Sequence, residues 1–277
     1  MTKQKAFTII ELLVAIAIIA VLVGLLFPAI GAVRRTAKQN ENNSKVRNII
    51  QGMIAHSESH RGFFPGFDGF QFTNVDFDNN GSTDGYGQTV EARFWVLLDG
   101  SYLDGDAVIS SQEAKNSWPN LEKPNLLEQK EVTTDNYSYA MSRIGGSTTD
   151  PDPFSSPSTK DKYRREEWRN EQNALAPIVT DRLAEQGDVQ PEPGQPETYM
   201  SIHDGSVEGE WIGSIGRGDL SVEFSKEHAV STRIAGFNND DDDIFFENDS
   251  ASADPEDRLK NSAGAYKQAE NPVGIVE

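Results

Sequence analysis

The sequence predicts an α+β protein in which a long N-terminal transmembrane spine helix packs against an antiparallel-sheet head. Three observations carry that expectation. Residues Leu12 to Val33 hold no charge, and roughly 22 residues make a helix of about 33 Å, the thickness of a bilayer core. Past that run the chain turns polar, yet Val46, Ile49, Ile50, Met53 and Ile54 recur at three- and four-residue spacing, the period of one helix face. Near the C-terminus "TYMSIHDGSVEGEWIGSIGRGDLSVEF" alternates apolar and polar residues between glycine-rich turns, the pattern of antiparallel hairpins.

The spine is expected from about Phe7 to about His60, where Gly62, Pro65 and Gly66 stop it. His56 and His60 lie one turn apart, and both are expected on its surface. "ARFWVLL" with "SYLDG" reads as an apolar segment packed against the spine. "TTDNYSYAMSRIGG" reads as a strand and turn, and "ALAPIVTDR" as a short buried strand. "STTDPDPFSSPST" and "EQGDVQPEPGQPE" are proline-rich loops. "KDKYRREEWRNEQN" mixes charges of both signs, the pattern of a solvated helix. Trp211, Ile215, Val222 and Phe224 are core candidates.

Composition narrows the function. The chain has 277 residues, with 25 Lys and Arg against 44 Asp and Glu, for a net charge of −19. The first 35 residues run the other way, with Lys3, Lys5, Arg34 and Arg35 against Glu11. A polyanion repels nucleic acid, so no nucleic-acid partner is expected; divalent cations and basic partners fit better. There are no cysteines, which excludes disulfides, thiolate metal sites and cysteine nucleophiles. Four histidines (His56, His60, His203, His228) leave little material for a zinc site or a histidine base. His203 beside Asp204 is a weak catalytic pair, because neighbours on a strand point to opposite faces. No enzyme is expected.

The N-terminal run contains one anomaly. Glu11 stands at the head of the apolar stretch, where a carboxylate costs up to about 2.5–3.5 kcal/mol by insertion scales. A secretory signal fits the basic start, but its apolar core is about 7–15 residues, and no clear small-residue cleavage site follows here. A plain signal anchor fits the length and leaves Glu11 and Pro28 unexplained.

"KAFTIIELLVAIAIIAVLVGLLFPAI" resembles the leader of type IV pilins and type II secretion pseudopilins, and the fold then expected is pilin-like. The resemblance implies cutting by prepilin peptidase between Ala6 and Phe7, followed by methylation of the Phe7 amine. Ala6 departs from the glycine usual at that position. Glu11 becomes the fifth mature residue, able to offer its carboxylate to the Phe7 amine of its own chain or of a neighbour. Opposite charges in a low-dielectric bundle attract strongly, and removing one leaves the other buried and unpaired. Pro28 removes a helix hydrogen bond and can kink or locally melt the helix. Phe7, Glu11 and Pro28 are therefore the expected assembly residues. Calcium sites are also expected. Asp76, Asp78 and Asn80 with Gly81 match the opening of an EF-hand-like loop, D-x-[DN]-x-[DN]-G. The closing position holds Gly87, so Asp84 or Glu91 serves only along a different loop path; the alternative is a self-satisfied Asx-rich turn. A second acidic loop, "GFNNDDDDIFFENDS", offers Asp240 and Asp242, and the resemblance implies a role like that of the calcium loop of major pseudopilins. Its alternative is a solvated acidic tail.

The C-terminal stretch is also similar to a large group of pilin-like proteins sharing this leader, in which a histidine precedes a Trp-x-Gly segment and a D-x-x-V-x-F strand. Here these are His203, Trp211 with Gly213, and Asp219 to Phe224. The implied organisation is a prepilin leader (1–6), a transmembrane and assembly helix (7–33), an amphipathic continuation (34–61) and an exported α+β head with acidic loops (62–277). The implied role is a structural subunit of a type IV pilus or type II secretion pseudopilus. Its partners would be prepilin peptidase, other pilin or pseudopilin subunits and the inner membrane, which it crosses once with the head in the periplasm or on the cell surface. The alternative is a non-polymerising membrane-anchored head that binds calcium or another ligand.

Overall fold

The structure, a computed structural model, describes residues 9–77, 80–83, 85–119, 132–142, 144, 165, 167–170, 173–184, 196–203, 207, 209–234 and 237–245. The chain divides into two compact units, residues 1–40 and 41–277. Helix α1 (Ile9–Ser59) begins in the first and ends in the second.

In the first unit every described residue is helical. The helix is apolar all round from Leu12 to Val33, with Leu25 71% and Phe27 70% exposed. By length and composition it is able to cross a membrane. Such a surface is stable only against lipid or other apolar helices. α1 passes through Pro28 as helix, in keeping with the continuous spine expected from the sequence. Proline still lacks the N–H that would bond the Gly24 carbonyl one turn back.

The second unit is built in layers. Residues 42–57 of α1 supply its buried face: Val46, Ile49, Ile50 and Met53 are inaccessible to solvent. Burying each such side chain stabilises by about 1.5–3 kcal/mol. Left-handed Arg61 (φ 58°) and Gly62 (φ 83°) end the helix, and the Gly62 N–H caps the Ser57 carbonyl at 2.9 Å. A two-stranded ladder, β1 (Asn74–Val75) with β2 (Gly85–Tyr86), precedes α2 (Val90–Asp99). Thr89 caps α2 by accepting from Ala92 N. Phe94, Leu97 and Leu98 of α2 join the α1 stripe in one core, as the apolar pattern of "ARFWVLL" requires.

The main sheet is an antiparallel meander of β3 (Tyr139–Met141), β4 (Pro177–Asp181), β5 (Gly213–Arg217) and β6 (Val222–Ser225). Alternation along β3 divides its faces: Tyr139 and Met141 enter the α1 core, and Ala140 enters a second cluster. Gly216 of β5 lies under α1, where a Cβ would come within 2.5 Å of Ile50 Cδ1 and 2.6 Å of Val46 Cγ1. The glycine thus sets how closely helix and sheet approach. Behind the sheet, Trp211, Ile215, Tyr199, Ile244 and Phe245 form the second cluster.

Three local expectations are corrected. Residues 237–243, read as an acidic loop, form strand β8 (Phe237–Asp243), antiparallel to β7 (Ala229–Ile234). Ladder pairing fixes the backbone, and the Thr232 hydroxyl donates to the buried Asp242 carboxylate. Trp168, placed on a solvated helix by its charged neighbours, is buried: its Nε1 donates to Pro65 O at 2.9 Å and its ring meets Phe64 edge-on. Val222 and Phe224 are half-buried, whereas Trp211 and Ile215 are core.

His56 is a fourth correction. It is buried, its ring stacked on His60 at 3.7 Å with the Tyr102 ring edge-on. Burial, and then the charge of His60, push its pKa from 6.5 down to about 4. Between those values the unfolded chain binds a proton that the folded chain refuses, so stability falls as pH drops from 6.5 to 4. Urea midpoints measured across that range are expected to fall less steeply for His56→Phe than for the native chain.

Candidate functional site

Three places in the chain hold polar groups in apolar surroundings. The first is the start of α1. Glu11 lies near the beginning of the described part of α1 and is exposed. Ala6 and Phe7 lie outside the described residues, and Pro28 is inside the helix.

The second place ties α1 to the sheet. Asn42, fully buried on α1, donates its amide to both carboxylate oxygens of Asp181 at 2.8 Å and to Ser214 Oγ at 2.8 Å. Its Oδ1 accepts from Ser110 Oγ and Tyr139 OH, both at 2.9 Å. Asp181, the last residue of β4, also accepts from Ser214 N at 2.6 Å and from His203 Nε2 at 2.8 Å. Burial, with the charge of Asp181 adding to it, raises the Tyr139 hydroxyl well above its ordinary pKa, so it remains a donor. Six residues from six parts of the chain thus satisfy one another without solvent, a requirement for buried polar groups. The arrangement presents no exposed nucleophile; it is a clasp between helix and sheet.

This clasp decides the histidine question. His203 is buried and pairs with Asp181, 22 residues away in sequence, while Asp204 lies outside the described residues. Its ring also meets Phe224 edge-on at 4.9 Å. Sequence reasoning missed Asp181, although a carboxylate closing an apolar strand demands a partner for the same reason as Glu11.

The acidic candidates are placed as follows. Asp76 follows β1, and its carboxylate accepts from Asn80 N at 3.1 Å and Gly81 N at 2.7 Å. Asn80 Oδ1 accepts from Ser82 N at 2.8 Å. Asp78 and Asp84 lie outside the described residues. Asp240 and Asp242 belong to β8, and Asp242 is buried. Neighbouring Asp243 accepts from Tyr199 OH at 3.0 Å; burial raises its pKa, with the Phe245 N–H and His228 pulling it back down. Among the described residues no group of three or more His, Cys, Asp or Glu is placed to hold a metal ion.

A third polar centre supports the core beside α2. Arg93 is buried, with its Nε donating to Gly87 O at 2.8 Å and its terminal nitrogens to Ser142 O and Gln88 O at 2.7 Å. Its guanidinium lies 4.8 Å from the Trp168 ring centre. Close backbone approach makes the loop possible: a Cβ on Gly87 would meet Gly66 O at 2.1 Å.

The prokaryotic N-terminal methylation motif matches residues 1–27. No curated protein and no solved structure matches the chain. The matched segment contains Ala6, Phe7 and Glu11, and a motif of this prepilin type implies processing by prepilin peptidase. The α+β arrangement behind it, a long apolar helix and an antiparallel four-stranded sheet, is pilin-like. Motif and architecture together mark this chain as pilin- or pseudopilin-like, a class typically made of structural subunits rather than enzymes.

Proposed function

We propose that the chain is a structural subunit that prepilin peptidase cuts between Ala6 and Phe7. It then assembles through its N-terminal helix into a type IV pilus or a type II secretion pseudopilus. The observation that carries the reading is the methylation motif over residues 1–27, with Glu11 as the single charge in an otherwise apolar first part of α1. Before assembly the helix anchors the chain in the inner membrane. Once cut, the Phe7 amine gives Glu11 a cationic partner, on its own chain or on a neighbour. Packed subunits then cover the apolar surface that lipid covered before.

Pro28 fits the same reading. The Gly24 carbonyl it leaves without an intrahelical donor lowers the cost of local unwinding during assembly.

Glu11→Ala tests the assembly step. It leaves the leader junction intact, so cleavage at Phe7 is expected to proceed. Incorporation into sheared fibres is expected to drop by about tenfold or more, as for the loss of one buried charge partner worth at least ~1.4 kcal/mol. Quantitative immunoblots of sheared and cell-bound fractions measure it. Equal incorporation of native and variant chains would contradict the proposed register role of Glu11.

A further inference from the structure

The segment following α1, "RGFFPGFDGFQFT" (residues 61–73), is the most aromatic stretch of the chain outside its apolar run. Phe64, Phe67 and Phe72 are buried in the core, as phenylalanines should be. Phe70 is 68% exposed. It is held out on a rigid tip: Asp68 Oδ1 accepts the N–H groups of both Phe70 and Gln71 at 2.8 Å, and Gly69 takes the left-handed conformation (φ 96°).

Cations surround this tip. The Arg61 guanidinium lies 5.3 Å from the Phe70 ring centre, and Arg61 itself is left-handed (φ 58°), a conformation unfavourable for a residue with a Cβ. Arg169 lies 5.0 Å from the Phe63 ring centre. Phe63 packs directly beneath the turn, since a Cβ on Gly69 would come within 2.5 Å of Phe63 Cε2. Two arginine–aromatic pairs therefore abut around one exposed phenylalanine. Exposed cation–π pairs contribute only about 0.5–1 kcal/mol each, too little to explain leaving the Phe70 ring in water. Aromatic residues and arginine are the side chains that dominate binding energy at protein interfaces.

We propose that this Phe70–Arg61–Phe63–Arg169 surface docks a second copy of this chain. Charge selects the partner. The chain carries 44 acidic against 25 basic residues, and Asp104, Asp106, Asp135, Glu197, Glu210 and Glu227 are all exposed. A basic aromatic patch on such a protein is complementary to another copy of itself. The contact is heterologous, patch to acidic surface, the type that generates open filaments when the rotation does not close. The proposal rests on the assembly reading for the reason that copies meet, and it names a contact separate from the N-terminal helix.

The test places the photo-crosslinking analogue p-benzoylphenylalanine at position 70 of the full chain, in cells with prepilin peptidase and the assembly machinery. Exposed Ser101 serves as the control position. Irradiation is expected to give a chain-to-chain dimer from position 70, with the linked peptide rich in Asp and Glu. The Arg61→Glu/Arg169→Glu double variant is expected to reduce that dimer by about tenfold or more, equivalent to ~1.4 kcal/mol. Thermal melting of the purified full-length variants checks that they are folded. No dimer from position 70, a dimer unaffected by charge reversal in folded protein, or crosslinking to lipid or another protein instead would overturn the proposal. Sheared fibres from the same cells separate the two claims. Fibres that contain the chain without a position-70 dimer reject the patch alone, and a dimer without fibre incorporation rejects the assembly reading alone.

Discussion

Replacing Asp181 by alanine is expected to destabilise the second unit by about 3–5 kcal/mol, the cost of removing one partner from a buried charged network. The carboxylate receives Asn42, His203 and the Ser214 N–H together. Alanine withdraws all these acceptors, and the enclosed site admits no solvent to replace them; a buried unsatisfied group costs about 1–3 kcal/mol each. Total stabilities are about 5–15 kcal/mol, so this single change removes a large share. Asn42→Ala attacks the clasp from the helix side and is expected to cost less, because Asp181 keeps His203 and Ser214 N. In the double variant the two costs should fall short of additivity, since they delete one shared interaction. Urea unfolding of the full chain in detergent, followed by tryptophan fluorescence, reads all four states of the cycle. Strict additivity would show that Asn42 and Asp181 act independently, contrary to the geometry.

Arg93→Met is expected to be comparably severe, at about 3–5 kcal/mol. Methionine fills much of the volume but donates nothing to the Gly87, Gln88 and Ser142 carbonyls. It also gives up the guanidinium contact with Trp168. Arg93→Lys keeps the charge and separates two explanations. If charge were what matters, lysine would restore stability. The planar fork that reaches three carbonyls in different directions is specific to arginine, so lysine is expected to recover less than half of the loss. The midpoint of thermal unfolding checks this, and near-native melting of Arg93→Lys would refute the hydrogen-bonding account.

Much of the architecture is written in short-range pattern. An uncharged run, an apolar stripe at helical spacing and a stop at Gly62 are enough to place α1 and its buried face. β4 and the β5–β6 hairpin follow from apolar runs and alternation between glycine-rich turns. Pattern fails where partners are distant. Nothing near Asn42 in sequence indicates that it meets Asp181, 139 residues on, and nothing near Arg93 or Trp168 indicates that they stack on each other. The acidic run misleads for a related reason. Repulsion among adjacent carboxylates argues for a solvated loop, but strand alternation places neighbours on opposite faces, and Asp242 finds the Thr232 hydroxyl across the hairpin. A histidine one turn from His60 with no third ligand evident in the sequence reads as helix surface, whereas the burial of His56 depends on the chain folding back through Tyr102.

The clasp and the N-terminal segment obey one rule at two scales. A carboxylate in apolar surroundings persists where the rest of the assembly supplies its partner. For Asp181 the partners are within the chain. For Glu11 the partner proposed for assembly is the Phe7 amine that processing exposes.

Mass spectrometry of the mature amino terminus, from cells with and without prepilin peptidase, therefore tests the central claim most directly. The account predicts a chain beginning at N-methylated Phe7 when the peptidase is present and at the uncut leader when it is absent. An intact leader in the presence of active peptidase would contradict the account.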